Sequence, residues 1–71
     1  MNNSNTHLSI LRRKQVESRT GLCRSTIYAK IKSGDFPPPI PLGARAVGWI
    51  EKEIDDWLYE KFSQRQHALT Q

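Results

Sequence analysis

The sequence predicts a small, mainly α-helical domain that carries one two-stranded β-hairpin. Three patterns support this fold class. A glycine separates two short helix-compatible runs, a proline cluster precedes two short β-compatible runs, and the last third of the chain has helical apolar spacing. The 71 residues are enough for one domain with a modest core, since a chain of this size buries only ~60% of its unfolded surface.

The first predicted helix covers residues 12–20, a run of helix formers around the central apolar residue Val16. Ile10 and Leu11 are expected to pack beside its start. Gly21 should end the helix in the left-handed conformation, so that the next residue, Leu22, folds back onto the core. Residues 1–9 are rich in Asn, Ser and Thr and lack apolar periodicity, which predicts a loose N-terminal tail.

The second predicted helix covers residues 24–33, where Ile27 and Ile31 lie one turn apart and define a narrow buried stripe. Gly34 is expected to stop this helix. With the stripe turned inward, the exposed first turn, the outward face and its flanks consist of Arg24, Ser25, Thr26, Tyr28, Ala29 and Lys32.

The next segment cannot be helical, because four prolines within residues 37–41 remove backbone donors and favour extended backbone. Residues 40–42 and 47–50 are short β-compatible runs on either side of the sequence GARA. This arrangement predicts a hairpin with Arg45 at its tip. Pro41 indicates that the first of the two strands lies at an edge.

The last helix is predicted over residues 52–66, with residues 67–71 as a C-terminal tail and residues 10–66 as the folded domain. Its apolar residues fall at i, i+3, i+4 and i+8, namely Ile54, Trp57, Leu58 and Phe62. Acidic residues crowd its start, where the helix dipole favours negative charge. Trp49, Trp57 and Phe62 are expected to lie in the core.

Charge is unevenly distributed along the chain. The net charge is +4, but residues 1–50 hold eight Lys or Arg against two acids, and residues 51–71 hold three against five. This asymmetry suggests that the first fifty residues face a polyanion. The small size favours a binding module over an enzyme, so no catalytic residues are assigned.

Cysteine and hydropathy patterns point to a cytoplasmic protein without cofactors. The single Cys23 cannot form an internal disulfide, and no metal-ligand spacing such as CxxC or HxxxH occurs, so no metal or cofactor is expected. No apolar run approaches the ~20 residues of a membrane span, and the polar N-terminus lacks signal-peptide features. We therefore expect a protein of the reducing cytoplasm with no membrane partner.

The order helix, glycine turn, helix, basic-tipped hairpin, helix resembles a winged helix-turn-helix. More specifically, about residues 11–62 resemble the AlpA family of short phage and prophage regulators, within the MerR-like group that also includes many excisionases. The resemblance rests on GLxRSTIY at the second helix, SGDFPxP after it, RAVGW in the hairpin, and ExEIxxW in the last helix. It implies a sequence-specific DNA-binding protein that acts on prophage or mobile-element DNA.

One residue departs from the family pattern. The family usually has serine where this chain has Cys23, just before the second helix. A thiol is a weak hydrogen-bond acceptor, so this helix is expected to lose ~1 kcal/mol of N-terminal capping. The simplest role for Cys23 is that of a small buried or half-buried residue.

The second helix is the expected reader of double-stranded DNA, because an α-helix fits the major groove. Arg24 can reach guanine, Ser25 and Thr26 can meet base edges or phosphate, and Tyr28 is expected on the backbone or in packing. The basic residues of the first helix position the protein rather than read bases. The full set of expected DNA contacts is Arg12, Arg13, Lys14, Arg24, Ser25, Thr26, Tyr28, Ala29, Lys32 and Arg45.

Several alternatives remain open at the level of sequence. The DNA-binding protein is either a transcriptional regulator of mobile-element genes, which is preferred, or an excisionase that bends attachment-site DNA for an integrase. Because a module this small buries only ~600–1,000 Å² on DNA, further copies bound cooperatively are expected to contribute. A different class is a protein-interaction module that docks through the acidic last helix and does not bind DNA.

Overall fold

The computed structural model describes residues 8–69, with side chains described as far as Arg65. Within this part of the chain, three helices pack around a small antiparallel sheet of three strands. The elements in chain order are β1 (Ile10–Leu11), α1 (Arg13–Thr20), α2 (Arg24–Lys32), β2 (Ile40–Pro41), β3 (Val47–Ile50) and α3 (Glu51–Leu69). The mainly helical fold class predicted from the sequence is therefore confirmed.

The turn between α1 and α2 forms as the glycine predicts. Gly21 has φ +76°, in the left-handed region, and its N–H donates to the carbonyl of Glu17 at 2.8 Å. Leu22 then packs, half-buried, against the core. Gly34 has φ +80° just beyond α2, and the following amide, of Asp35, donates to the carbonyl of Lys30 at 2.8 Å. Both predicted helix ends are confirmed.

The predicted hairpin is present, but the sheet contains a third strand that the sequence analysis missed. Antiparallel β2 and β3 are joined by the turn at residues 43–45, and β1 pairs with the other side of β3 in the order β1-β3-β2. The two residues of β1 were expected only to pack beside α1, because two residues cannot show the alternation of a strand. Pro41 lies on the edge strand β2, as predicted.

The ladder explains why Pro41 is tolerated. The amide of Leu42 donates to the carbonyl of Ala46 at 2.7 Å, so this facing pair is hydrogen-bonded and the next pair, Pro41 and Val47, is not. An N–H group at residue 41 would point toward the open edge of the sheet, so proline removes no hydrogen bond of the ladder. The backbone groups of Val47 point the other way, toward β1.

The core lies between the sheet and the helices. Its fully or nearly fully buried members are Leu11, Val16, Ile27, Phe36, Trp49 and Ile54. Trp49 is completely buried, as predicted, and its indole N–H donates to the carbonyl of Pro37 at 2.9 Å. Phe36 was not identified from the sequence, because it stands alone between Asp35 and the prolines and shows no periodicity.

Two aromatic residues of α3 correct the predicted core. Trp57 is half-buried rather than buried: its ring meets Phe36 edge-on at 4.8 Å, and its indole N–H donates to the carbonyl of Asp35 at 2.7 Å. Phe62 is 44% exposed, so its assignment to the core was wrong. Helical spacing places it on the same face as Ile54 and Leu58, but its ring lies near Tyr59 and Arg65 on the surface of α3.

Helix α3 begins one residue earlier than predicted and continues to Leu69. Its start is fixed by the sheet, since the amide of Glu51 donates to the carbonyl of Ser9 at 2.8 Å. The predicted N-terminal tail lies outside the described residues except for Leu8 and Ser9, and the last two residues of the predicted C-terminal tail lie outside them as well. None of the helices in residues 8–69 is both long and apolar enough to cross a bilayer.

Gly48 is expected to be essential for the sheet. A Cβ at this position would collide with Cγ2 of Ile10 and lie 3.0 Å from Cδ1 of Leu42. Gly48→Ala is therefore expected to destabilise the domain by about 1–3 kcal/mol, because a methyl group inserted into a packed site forces its neighbours apart. Thermal unfolding should show a midpoint lower by roughly 5–20 °C.

Gly43→Ala is the matched control, because a Cβ there would meet nothing within 4 Å and the residue does not have positive φ. This control variant should unfold close to the parent. Equal midpoints for Gly48→Ala and Gly43→Ala would contradict the close approach of β1 and β3.

Candidate nucleic-acid interface

The outward face of α2 is exposed and built from small polar residues. Ser25 and Ala29 are exposed on successive turns, Thr26 is half-buried beside them, and Ile27 on the opposite face is completely buried. A shallow, open depression follows this face and is lined by Ser25, Thr26, Ala29, Lys30 and Ser33. Because the lining side chains other than Lys30 are small, a flat or convex partner can approach the helix backbone closely.

Lys30 and Ser33 belong to this face but were not among the residues nominated from the sequence. Ser33 follows Ser25 and Ala29 at the regular spacing of four residues, so extending that series by one turn identifies it. The ammonium group of Lys30 lies 3.4 Å from the carboxylate of Asp35, beyond the end of the helix. No sequence pattern indicated that pairing.

Cys23 occupies the N-cap position of α2 and is exposed, so the expectation that it is buried or half-buried was wrong. Its side chain makes no capping hydrogen bond of good geometry to the helix backbone, in keeping with the weak acceptor character of a thiol. The backbone N–H groups of Thr26 and Ser25 nevertheless lie near enough to contribute to lowering its pKa. The sulfur lies 3.4 Å from Oγ of Ser25 and 3.3 Å from Oγ1 of Thr26. These hydrogen bonds, first from Ser25 and then from Thr26, lower the pKa of the Cys23 thiol from 9.0 to about 7.

Tyr28 connects α2 to the sheet. Its ring meets the buried ring of Trp49 edge-on, with centroids 6.3 Å apart and an interplanar angle of 63°, while 39% of the residue stays exposed. The tyrosine therefore packs on β3 and also reaches the surface. Because β3 is the inner strand of the hairpin, this contact holds the hairpin beside the candidate face.

The basic residues around α1 do not form one uniform cluster. Arg13 forms an ion pair with Glu17 one turn later on the same helix. Arg19 binds Glu51 and Asp55 of α3, and so ties α1 to α3 instead of adding to a DNA-facing surface. Arg12 donates from Nε to the carbonyl of Val47 at 3.1 Å. Of the three cationic residues nominated on this segment, only Lys14 is exposed with no polar partner in the described part of the chain.

Five cationic side chains in the first fifty residues have no acidic partner among the described residues. They belong to the start of α1, to both ends of α2 and to the hairpin tip, and are Arg12, Lys14, Arg24, Lys32 and Arg45. All five are exposed, and all five were nominated from the sequence. The structure thus separates these free cations from those that are held by carboxylates.

A second groove has the opposite character. It runs between the loop at residues 34–38 and α3, and carboxylates of Glu53, Asp56 and Glu60 line its α3 side next to Trp57. The negative charge of the chain is therefore concentrated on a different element from the free cations. The described residues bring no three His, Cys, Asp or Glu side chains together as a set able to hold a metal ion.

Residues 9–62 match the family model described as prophage CP4-57 regulatory protein (AlpA). The chain belongs to the AlpA family. The matched region runs from the residue before β1 into α3, and it includes every side chain nominated for the interface.

Two relatives illustrate what this AlpA-family chain is similar to. Over 65 residues it is 38% identical to the DNA-binding transcriptional activator AlpA of Escherichia coli K12, an alignment that covers 83% of this chain and 93% of that protein. Over 63 residues it is 38% identical to the uncharacterized protein ORF88 of Enterobacteria phage P4, covering 89% of this chain and 72% of that protein.

The environment of Cys23 predicts an unusually reactive thiol. Because the lowered pKa is about 7, the rate of alkylation by iodoacetamide should rise with a midpoint near pH 7 in the folded protein and near pH 9.0 in denaturant. Folding should be favoured increasingly as pH rises through this window, since the folded state loses its proton first. The measurement is the alkylation rate against pH by mass spectrometry.

Ser25→Ala supplies the control, because it removes the hydrogen bond that lowers the thiol pKa most and should shift the midpoint upward. A midpoint near 9 in the folded parent would contradict this geometry.

Proposed function

We propose that this chain is a sequence-specific double-stranded DNA-binding regulator of prophage or mobile-element genes. In this proposal α1 and α2 act as a helix-turn-helix, α2 enters the major groove, and the β2–β3 hairpin serves as a wing. The major groove accepts an α-helix, and a small-residue face lets the helix backbone approach the base edges.

The observation that carries the proposal is the pattern of unpaired charge. Free cations stand at both ends of the exposed α2 face and on the two elements beside it, whereas carboxylates neutralise the cations that lie toward α3. This arrangement of free cations suits an elongated anionic partner that lies along α2 and reaches the hairpin. Duplex DNA has that shape and charge, with one phosphate per ~1.7 Å of axis.

Individual residues are assigned roles on this basis. Arg24 in the first turn of α2 is the candidate for bidentate contact with guanine, and the hydroxyls of Ser25 and Thr26 are candidates for base edges or phosphate. The methyl group of Ala29 suits contact with a thymine methyl. Tyr28 and Lys32 flank the face and suit the sugar-phosphate backbone.

Arg45 is the candidate contact of the hairpin. It stands exposed at the tip, between Ala44 and Ala46, and forms no hydrogen bond within the described residues. Phosphate or the neighbouring minor groove can accept an arginine at that position, since a narrow minor groove concentrates negative potential.

The family supports the same class of function. The similar E. coli protein is named a DNA-binding transcriptional activator. A DNA-binding regulator is the function that agrees best with both the similarity to that protein and the charge pattern of this chain.

The decisive experiment is genome-wide mapping of the sites bound by the tagged protein, followed by binding assays on the recovered duplexes. Sites at promoters support the regulator, while an array between recombination sites supports the excisionase. A folded protein with no affinity for any duplex at low salt would overturn the proposal.

Salt dependence is expected to follow from the five free cations. If four or five phosphates are neutralised, log K against log salt should have a slope of about −4 to −5, because each neutralised phosphate contributes about −0.9. Fluorescence anisotropy on a recovered duplex between 50 and 300 mM salt, about one decade of useful range, measures the slope. A slope near zero would remove the electrostatic argument.

Residues of α2 and α1 are expected to differ in what they contribute. Arg24→Ala or Ser25→Ala should relax the preference at particular base pairs by ~1–3 kcal/mol, because a base-edge contact is lost. Lys14→Ala, the control, should weaken binding to all sequences about equally. Binding to a complete set of single-base variants of the site measures both effects. If Lys14→Ala changed the base preference and the α2 variants did not, α2 would not be the reader.

A further inference from the structure

The backbone of β3 continues beyond the end of its neighbour β1. Strand β1 pairs Ile10 with Ile50 and Leu11 with Trp49, and the amide of Glu51 donates to the carbonyl of Ser9. Hydrogen-bonded pairs alternate along an antiparallel ladder, so the next such pair after Leu11 and Trp49 would join residue 13 to Val47. Arg13 is instead the first residue of α1, and the chain has already left the sheet.

The side chain of Arg12 fills the place of the absent strand residue. Its Nε donates to the carbonyl of Val47 at 3.1 Å, across 35 positions of sequence. The Val47 carbonyl points to this side because Val47 and Pro41 form a pair without mutual hydrogen bonds. Arg12 thus adds one hydrogen bond on the β1 side of β3, at the end of the strand that leads into the hairpin loop.

This bond matters for the hairpin because a two-stranded ribbon alone is only marginally stable. Beyond Val47 the hairpin has no third strand, and its tip carries the exposed Arg45. The orientation of the tip relative to α1 and α2 therefore depends on how firmly this end of β3 is held.

The rest of the Arg12 guanidinium remains available. The side chain is exposed, and its two terminal amino groups have no hydrogen-bond or ion-pair partner among the described residues. A guanidinium binds phosphate oxygens through paired N–H groups in a fixed planar geometry. One planar group can therefore hold the hairpin by donating from Nε and bind a phosphate by donating from its terminal amino groups.

We propose that Arg12 is a positioning residue that couples phosphate binding to the orientation of the hairpin, so that its contact with DNA sets the position of Arg45. This inference rests on the proposed DNA-binding function. It differs from a general electrostatic role, because lysine in place of Arg12 keeps the charge but loses the planar group that serves both partners.

The first arm of the test uses the protein without DNA. The Nε–H proton of Arg12 should exchange with water more slowly by NMR than that of Arg24, which is exposed and unpartnered in the described part of the chain. In Arg12→Lys, 15N relaxation should show increased motion of the amides at residues 43–46. Equal exchange of the two Nε–H protons, or unchanged relaxation, would overturn the positioning role whether or not the protein binds DNA.

The second arm measures affinity for a recovered duplex. Arg12→Lys should weaken specific binding about fivefold or more with little change in the salt slope, whereas Lys14→Ala, the charge-loss control, should lower the slope by about 1. The loss caused by Arg45→Ala should shrink by a factor of about three or more in the Arg12→Lys background, as expected for coupled residues.

Wild-type affinity of Arg12→Lys, or an Arg45→Ala effect that is the same in both backgrounds, would overturn the coupling. Failure of the parent protein to bind any duplex would instead overturn the proposed function, and the NMR arm would still decide how Arg12 acts on the hairpin.

Discussion

The fold depends most on the burial of Trp49 at the centre of β3. This residue is fully buried, its backbone pairs with Leu11 of β1, its ring meets Tyr28 of α2, and its indole N–H satisfies the carbonyl of Pro37. A tryptophan buries roughly 150–250 Å² and needs a partner for its N–H, so it constrains everything around it. One side chain therefore positions the sheet, α2 and the proline loop. As a consequence, the hairpin lies next to the exposed face of α2.

The ion pairs around α3 determine which cations of the chain stay free. Arg19 binds two carboxylates of α3, and Asp35 lies between Lys30 and Lys61, whose charge is the main reason that the pKa of Asp35 is lowered. Exposed pairs of this kind add little stability, typically about 0–1 kcal/mol each. Their main effect is on the distribution of charge. They neutralise Arg19, Lys30 and Lys61 and leave five other exposed cations of the first fifty residues without an acidic partner among the described residues.

Much of the fold could be predicted because its signals are local. Left-handed glycines end α1 and α2, Pro41 marks an edge strand, and alternating short runs around GARA mark a hairpin. Each of these features depends on the backbone preferences of one or two residues. The outward residues of α2 could be predicted for a similar reason, since Ile27 and Ile31 set the buried side of the helix and the helical period then determines the opposite one.

The sequence by itself determined the helices, the hairpin, the exposed face of α2 and the uneven distribution of charge, because local backbone preference and helical period carry that information. Tertiary structure alone decided that Ile10 and Leu11 form a strand, that Phe36 is buried while Phe62 is exposed, and which arginines remain free. Arg12 and Arg19 look alike in the sequence. In the structure Arg12 donates to a carbonyl of the hairpin, whereas Arg19 binds two carboxylates of α3. These partners lie more than thirty positions away in the chain, and only the packing of β3 and α3 against α1 brings them within hydrogen-bonding distance.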